Sequence, residues 1–213
     1  MKTLCARPIL LVALLGGCSD GATQSPPDDQ EIANVGNAAP PSIGTAKASP
    51  EPRVEDERSA FTSLDLKQCR LIEENIDEGG YSRHDCPGHA GYRIELIESD
   101  LRQNIALIRP GGAKDEVDLA ARIGGGGFSE IGRTIEWRGA DRAKPRTLTL
   151  RFNVNERPEP AVPPRSYLIV IRLAAPACPV AKVAPGPTQS TDARRIADAT
   201  TLPACGSRPP DAQ

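Results

Sequence analysis

From residue 58 onward, apolar and polar residues alternate in short runs broken by glycine, proline and charge. In "YRIELIES", Tyr92, Ile94 and Leu96 alternate with Arg93 and Glu95, the period-two pattern of a strand with one buried face. "DLRQNIALIRP" repeats the pattern after Ser99-Asp100, so the two runs predict a hairpin. "RTIEWR", "TLTLRFNV" and "SYLIVIRL" predict three more strands, and "CRLIEENI" and "CPVAKV" shorter ones. Helical spacing appears in "TDARRIADAT", with Thr191 or Asp192 as its N-cap. "DEVDLAARI", residues 115–123, has room for one or two turns. The pattern predicts an α+β fold: a mainly antiparallel β-sheet with one packed C-terminal helix.

The amino terminus follows a different pattern. Lys2 and Arg7 flank the start of an apolar run from Ile9 to Leu15. The run is far short of the ~20 residues a membrane-spanning helix needs, and it has the length of a signal-peptide core. It ends Leu15-Gly16-Gly17-Cys18, which looks like a bacterial lipobox. There, small residues let a peptidase approach the backbone, and the cysteine thiol forms a thioether to a diacylglycerol. The expectation is a signal peptide over residues 1–17 and lipid on Cys18. The alternative is an ordinary secretory signal that happens to hold a cysteine. One acyl chain anchors only marginally, whereas three, at about 0.8 kcal/mol per buried CH₂, hold a protein at the membrane. Ser19 stands where aspartate would resemble an inner-membrane retention signal, which points to the outer membrane, facing the periplasm.

Residues 19–57 contain six prolines and no aromatic residue, with eight acidic side chains against two basic ones. Such a segment buries too little apolar surface to offset its ordering entropy. Residues 18–57 are therefore expected to form a lipidated, disordered, acidic tether. A flexible chain of that length spans about 35 Å root-mean-square. All seven aromatics lie between Phe61 and Tyr167, which places the folded periplasmic domain at residues 58–207, with a disordered tail over 208–213. From Arg58 to the end there are 22 basic and 20 acidic side chains, a balance that offers no electrostatic case for nucleic acid.

Six cysteines are present. Cys5 leaves with the signal and Cys18 takes the lipid, so Cys69, Cys86, Cys178 and Cys205 remain. An even remainder in an oxidising compartment predicts two disulfides. The sequential pairing, Cys69–Cys86 and Cys178–Cys205, is expected because each pair lies within one local segment. Four features, "C-x16-C-P-G", "DLR" at 100–102, "IGRTIEWR" at 131–138 and the late "C-x-V" at 178–180, resemble an uncharacterised family of exported proteobacterial proteins. The resemblance runs from about Phe61 to Cys205 and implies an exported, disulfide-bonded domain. It implies no reaction. "CPVAKV" stands where that family has the style "CHVAYV", so no histidine role carries over.

The candidate chemistry is sparse. "HDCPGH", 84–89, holds both histidines around Cys86. With Cys86 and Asp85, His84 and His89 are candidate ligands for zinc or copper, but the staple to Cys69 competes for the thiol. The four glycines at 124–127 lack the Lys-Ser/Thr of a phosphate loop, so a flexible hairpin or lid loop is expected. Ser63, Ser82, Ser99 and Ser129 lack a G-x-S-x-G elbow. Glu95, Asp100 and Glu136 alternate with Arg93, Arg102 and Arg138, as cross-strand ion pairs on a solvated sheet face would. Trp137, flanked by outward charges, reads as a core residue, with an exposed binding aromatic as the alternative. No catalytic residue and no cofactor is assigned. Three readings remain. The leading one is a membrane-anchored, non-enzymatic lipoprotein whose domain binds an envelope protein or peptidoglycan. The second is a periplasmic module for a small ligand or metal, and the third is a hydrolase.

Overall fold

A computed structural model of the protein describes residues 56–77, 79–156, 162–206, 209 and 211–212. The expected signal peptide, Cys18 and nearly all of the expected tether lie outside these residues. The fold class is as the pattern predicts: a mainly antiparallel sheet with one C-terminal helix and two disulfides. Strands β1 (Ser59–Ser63), β2 (Arg70–Asn75), β3 (Tyr81–Cys86), β4 (Arg93–Ser99), β5 (Arg102–Ile108) and β6 (Lys114–Val117) precede a short helix, α1 (Leu119–Arg122). Then come β7 (Ser129–Arg138), β8 (Thr147–Val154), β9 (Arg165–Arg172), β10 (Cys178–Val183), helix α2 (Gln189–Ala197) and β11 (Asp211–Ala212). The hairpin expected at Ser99-Asp100 joins β4 to β5 through Asp100 and Leu101, both with positive φ. That backbone matches the right-handed twist of the flanking strands.

The strands run β11-β10-β9-β8-β7-β5-β4-β3-β2, with β1 added to β7 and β6 to β5. Strand β7 is shared. One edge pairs with β8; the other meets β5 in parallel at Ser129 and then β1 antiparallel over Thr134–Arg138. Dividing its edge in this way lets the sheet curl over itself. Ile94 and Leu96 of β4, Ile105 and Leu107 of β5, and Ile135, Trp137, Leu150, Phe152 and Ile169 of β7–β9 meet in one core. Trp137 sits at its centre, fully buried, with its indole N–H donating to Thr62 Oγ1 at 2.8 Å.

Helix α2 covers the outer face of β9 and β10, where Ala193 and Ala197 pack on Val170, Val180 and Val183. Two alanines four residues apart share one face and let the backbone approach the strands closely. The helix starts at Gln189, earlier than the expected cap at Thr191 or Asp192. The Gln189 side-chain amide explains this, since Nε2 donates to the carbonyls of Ser166 and Val183 and draws one more turn onto the sheet. Two boundaries also differ from the sequence reading. Asp56, assigned to the tether, already bonds into the domain, accepting from Ser59 N and from Arg138. In the expected tail, Asp211 and Ala212 pair in parallel with Lys182 and Val183.

The disulfides take the sequential pairing. Cys69–Cys86 ties the turn before β2 to the end of β3, and Cys178–Cys205 ties the start of β10 to the segment after α2. For partners 17 and 27 residues apart, chain-entropy closure stabilises by about 3 and about 3.5 kcal/mol. Removing each bridge by a Cys→Ala pair should lower the urea unfolding free energy by about those amounts. Cys205 is exposed whereas Cys86 is buried. Under graded reductant, alkylation followed by mass spectrometry should therefore find Cys178–Cys205 opened first; the reverse order would contradict this account of access.

Candidate functional site

The run "SEIGRTIEWR" builds an irregular strand. Ile131 pairs with Phe152 and Ile135 with Leu150, so Gly132, Arg133 and Thr134 all stand opposite the single residue Arg151. This is a β-bulge, a device that bends a strand and re-aims a side chain. Gly132 makes it possible, because a Cβ there would lie 2.8 Å from the Arg151 Cβ. At the apex the Arg133 carbonyl accepts from Leu64 N, and the Arg133 side chain is exposed.

Beside the bulge lies a groove of about 280 Å³ between α2 and β1. Its floor includes Thr134 and Glu136 of β7 and Thr149 and Arg151 of β8. Ala193 and Arg194 of α2 form one wall; Phe61, more than half exposed, and Arg133 form the other. Three guanidiniums thus face one carboxylate, and that carboxylate is already occupied. Glu136 Oε1 accepts from Ser59 Oγ at 2.7 Å, Arg194 Nε at 2.9 Å and Arg138 Nη1 at 3.0 Å. Arg151 donates to Ser166 Oγ at 2.7 Å. Arg133 has no side-chain hydrogen bond or ion pair among the described residues, and the buried hydroxyl of Thr149 has no partner. The groove therefore offers positive charge, an aromatic face and unsatisfied donors, a surface suited to an anionic ligand with an apolar part.

Arg138 fixes the wall against the floor. Its guanidinium is 1% exposed and bonds Asp198 through Nε at 3.0 Å and Nη2 at 2.7 Å. Its Nη1 donates to Asp56 at 2.8 Å, to Glu136 at 3.0 Å and to Ser59 Oγ. Burial works against its charge, but the hydrogen bonds to Asp198, Asp56 and Glu136 outweigh it and hold its pKa above the ordinary arginine value. The same guanidinium, with the Arg58 backbone N–H, holds the Asp56 carboxyl down at about 2. Asp198 is the C-cap of α2, the end where the helix dipole disfavours an anion. Its two-pronged bond to Arg138 explains its presence there.

Of the sequence expectations, a core Trp137 and the Cys69–Cys86 staple are as read, whereas the glycine loop and the solvated sheet face need correction. Trp137 is core and cannot touch a ligand from the surface. The Cys86 sulfur is bonded to Cys69, and Asp85 is engaged by Arg70 and Arg93. His84 lies half-buried in β3 opposite Leu71 and Leu96. His89 Nε2 donates to the Arg142 carbonyl at 2.6 Å, and its ring lies tilted at 49° to Trp137, with centroids 6.3 Å apart. His84, Cys86 and His89 thus make no metal centre, and among the described residues no three His, Cys, Asp or Glu side chains gather for one. The glycine loop is not a hairpin: it joins α1 to β7, and Arg102 Nε and Nη2 donate to the Gly126 carbonyl. Finally, the sheet face carrying Glu136 and Arg138 is not solvated, because α2 and Asp56 cover it.

The sequence reading missed the groove. The one signal for it was Gly132 inside a β-branched run, the composition of a bulge. Arg133, Arg151 and Arg194 are far apart in sequence and meet only in the fold.

Arg138→Ala should cost about 3–5 kcal/mol in urea unfolding, since it removes the one buried cation shared by Asp56, Glu136 and Asp198 and leaves them only the more exposed Arg58 and Arg194; a loss under 1 kcal/mol would show the network to be dispensable. Asp56 is depressed in the fold, so its stabilising effect is present above the ordinary carboxylate range, near 4, and fades as the pH falls toward about 2. Asp56→Asn should accordingly flatten the fall of the thermal midpoint across that window, and an unchanged slope would contradict the assignment. Compared with known proteins, the chain matches no family model, no curated protein and no solved structure.

Proposed function

We propose that the protein is a membrane-anchored envelope lipoprotein whose folded domain works by binding a partner rather than by catalysis, with the α2–β1 groove as its binding face. The observation that carries this reading is the groove itself, where three arginines and Phe61 meet and the Arg133 side chain forms no hydrogen bond or ion pair among the described residues. The anchor rests on the sequence Leu15-Gly16-Gly17-Cys18. Two disulfides among four of the other cysteines agree with export to an oxidising compartment. An acidic, proline-rich segment between anchor and domain would let the domain reach about 35 Å from the outer membrane into the periplasm. A groove of about 280 Å³ lies just below the range of ligand pockets, about 300–1,000 Å³. That size favours one segment of a larger partner over a whole small molecule.

In cells, metabolic labelling with palmitate should mark the wild type and not Cys18→Ser, which should also leave the membrane pellet. In the anchored protein, a photo-crosslinking residue at Phe61 should give a discrete adduct, and one at Leu71, exposed on β2, should not. Label retained without Cys18 would remove the anchor. Equal adducts from both positions, or none from Phe61, would remove the groove as the binding face.

A further inference from the structure

The groove gathers its cations into a small area. Arg151 of β8 stands opposite the bulge that carries Arg133, one strand spacing away. Thr149, two residues along β8 and on the same face, pairs with Glu136, whose carboxylate accepts from Arg194 Nε at 2.9 Å. Ser190, Ala193 and Arg194, three and four residues apart, share one face of α2 and line the groove. Arg151 also reaches the start of that helix, with Nη1 3.4 Å from Gln189 Oε1. Each step, across the ladder, along β8 or along one turn of α2, is roughly 5–7 Å.

The charge within that area is unbalanced. Arg133, Arg151 and Arg194 stand against Glu136 alone, three positive side chains to one negative, a net of +2. The donors are also in excess. Arg151 and Arg194 use only part of their five N–H groups, and Arg133 has no side-chain hydrogen bond or ion pair among the described residues. The Thr149 hydroxyl in the floor, on a residue 5% exposed, has no partner, and Ser190 brings a second hydroxyl to the wall. A carboxylate, with one charge and two oxygens, would leave half of the net charge and most of these donors unanswered. A phosphomonoester carries about −1.5 to −2 at pH 7 on three strongly accepting oxygens, which matches both. A groove of about 280 Å³ holds a phosphoryl group and the first atoms of its carrier, and Phe61, more than half exposed, stands in the wall for those atoms to pack on.

We infer that the groove is a phosphomonoester site, in which Arg133, Arg151 and Arg194 engage one phosphoryl group. This rests on the binding reading above and names the chemistry it recognises. The test is isothermal titration of the full chain in neutral detergent, with its disulfides intact. The probes are phenyl phosphate, dihexanoyl phosphatidate, inorganic phosphate, benzoate and sulfate. At pH 7.5 phenyl phosphate should bind at least tenfold more tightly than benzoate, the gain expected of one further charge-assisted hydrogen bond. Its second proton returns near pH 6, so between pH 7.5 and pH 5 it should weaken several-fold relative to sulfate, which stays doubly charged. The three guanidiniums keep their charge throughout. Arg133→Gln should weaken phenyl phosphate roughly tenfold without moving the thermal midpoint. Arg70→Gln, the same loss of charge on β2 outside the groove, should change it less than about twofold. Tighter binding of phosphatidate than of phenyl phosphate would support a lipid headgroup as the source, and the reverse order a soluble ester. Inorganic phosphate bound as tightly as either ester would overturn the carrier. Equal binding of benzoate and phenyl phosphate, no change with pH relative to sulfate, or equal weakening by Arg70→Gln would overturn the inference. Silence of every probe, with the Phe61 adduct still formed in cells, would overturn the phosphoryl group and leave the groove as the binding face. Silence without that adduct would overturn both.

Discussion

Arg138 sits where a guanidinium without partners would be expelled, on a sheet face closed over by a helix and by the chain entering β1. Its donors are shared among Asp56, Ser59, Glu136 and Asp198, which come from the start of the domain, from β1, from its own strand and from the end of α2. Arg58 and Arg194 complete the set, so three cations balance three carboxylates. A balanced set of charges can be buried where one alone cannot, provided every member is held by hydrogen bonds. The cluster therefore accepts one arrangement of β1, β7 and α2. The groove's width depends on that arrangement, because Glu136 and Arg194 belong both to the cluster and to the groove.

The fold class was legible because its signals are local. Alternation in "YRIELIES" and "TLTLRFNV" reports a buried face within each strand, and the Ser99-Asp100 turn reports a hairpin between neighbours. The disulfide pairing was legible for the same reason, each bridge closing a loop of one or two elements. Trp137 was readable as core from its neighbours' charge, but Arg138, one residue on, was misread as solvent-facing. The pattern gives the face of a strand; it does not say whether a helix 60 residues later will cover that face. The site itself was hidden more deeply. Arg133, Arg151 and Arg194 carry no shared motif, and the bulge that gathers two of them shows in the sequence only as one glycine.

The two sulfur bridges and the ion cluster divide the work of holding the domain. Cys69–Cys86 secures the β2–β3 end of the sheet, and Cys178–Cys205 secures the segment that follows α2. Neither crosses the groove. The face that carries the arginines is held by hydrogen bonds and packing alone, with Ala193 and Ala197 against the strands on one side and the Thr62–Trp137 bond on the other.

Phe61 lies two residues into β1, the first strand among the described residues. A pull applied to the chain ahead of Asp56 would be met first by Arg138, then by the rungs between β1 and β7. A load placed against Phe61 would be separated from that entry point by only four residues of backbone, 57–60. The remaining strands would feel little of the pull, and the module could be tugged without being unravelled from its far end.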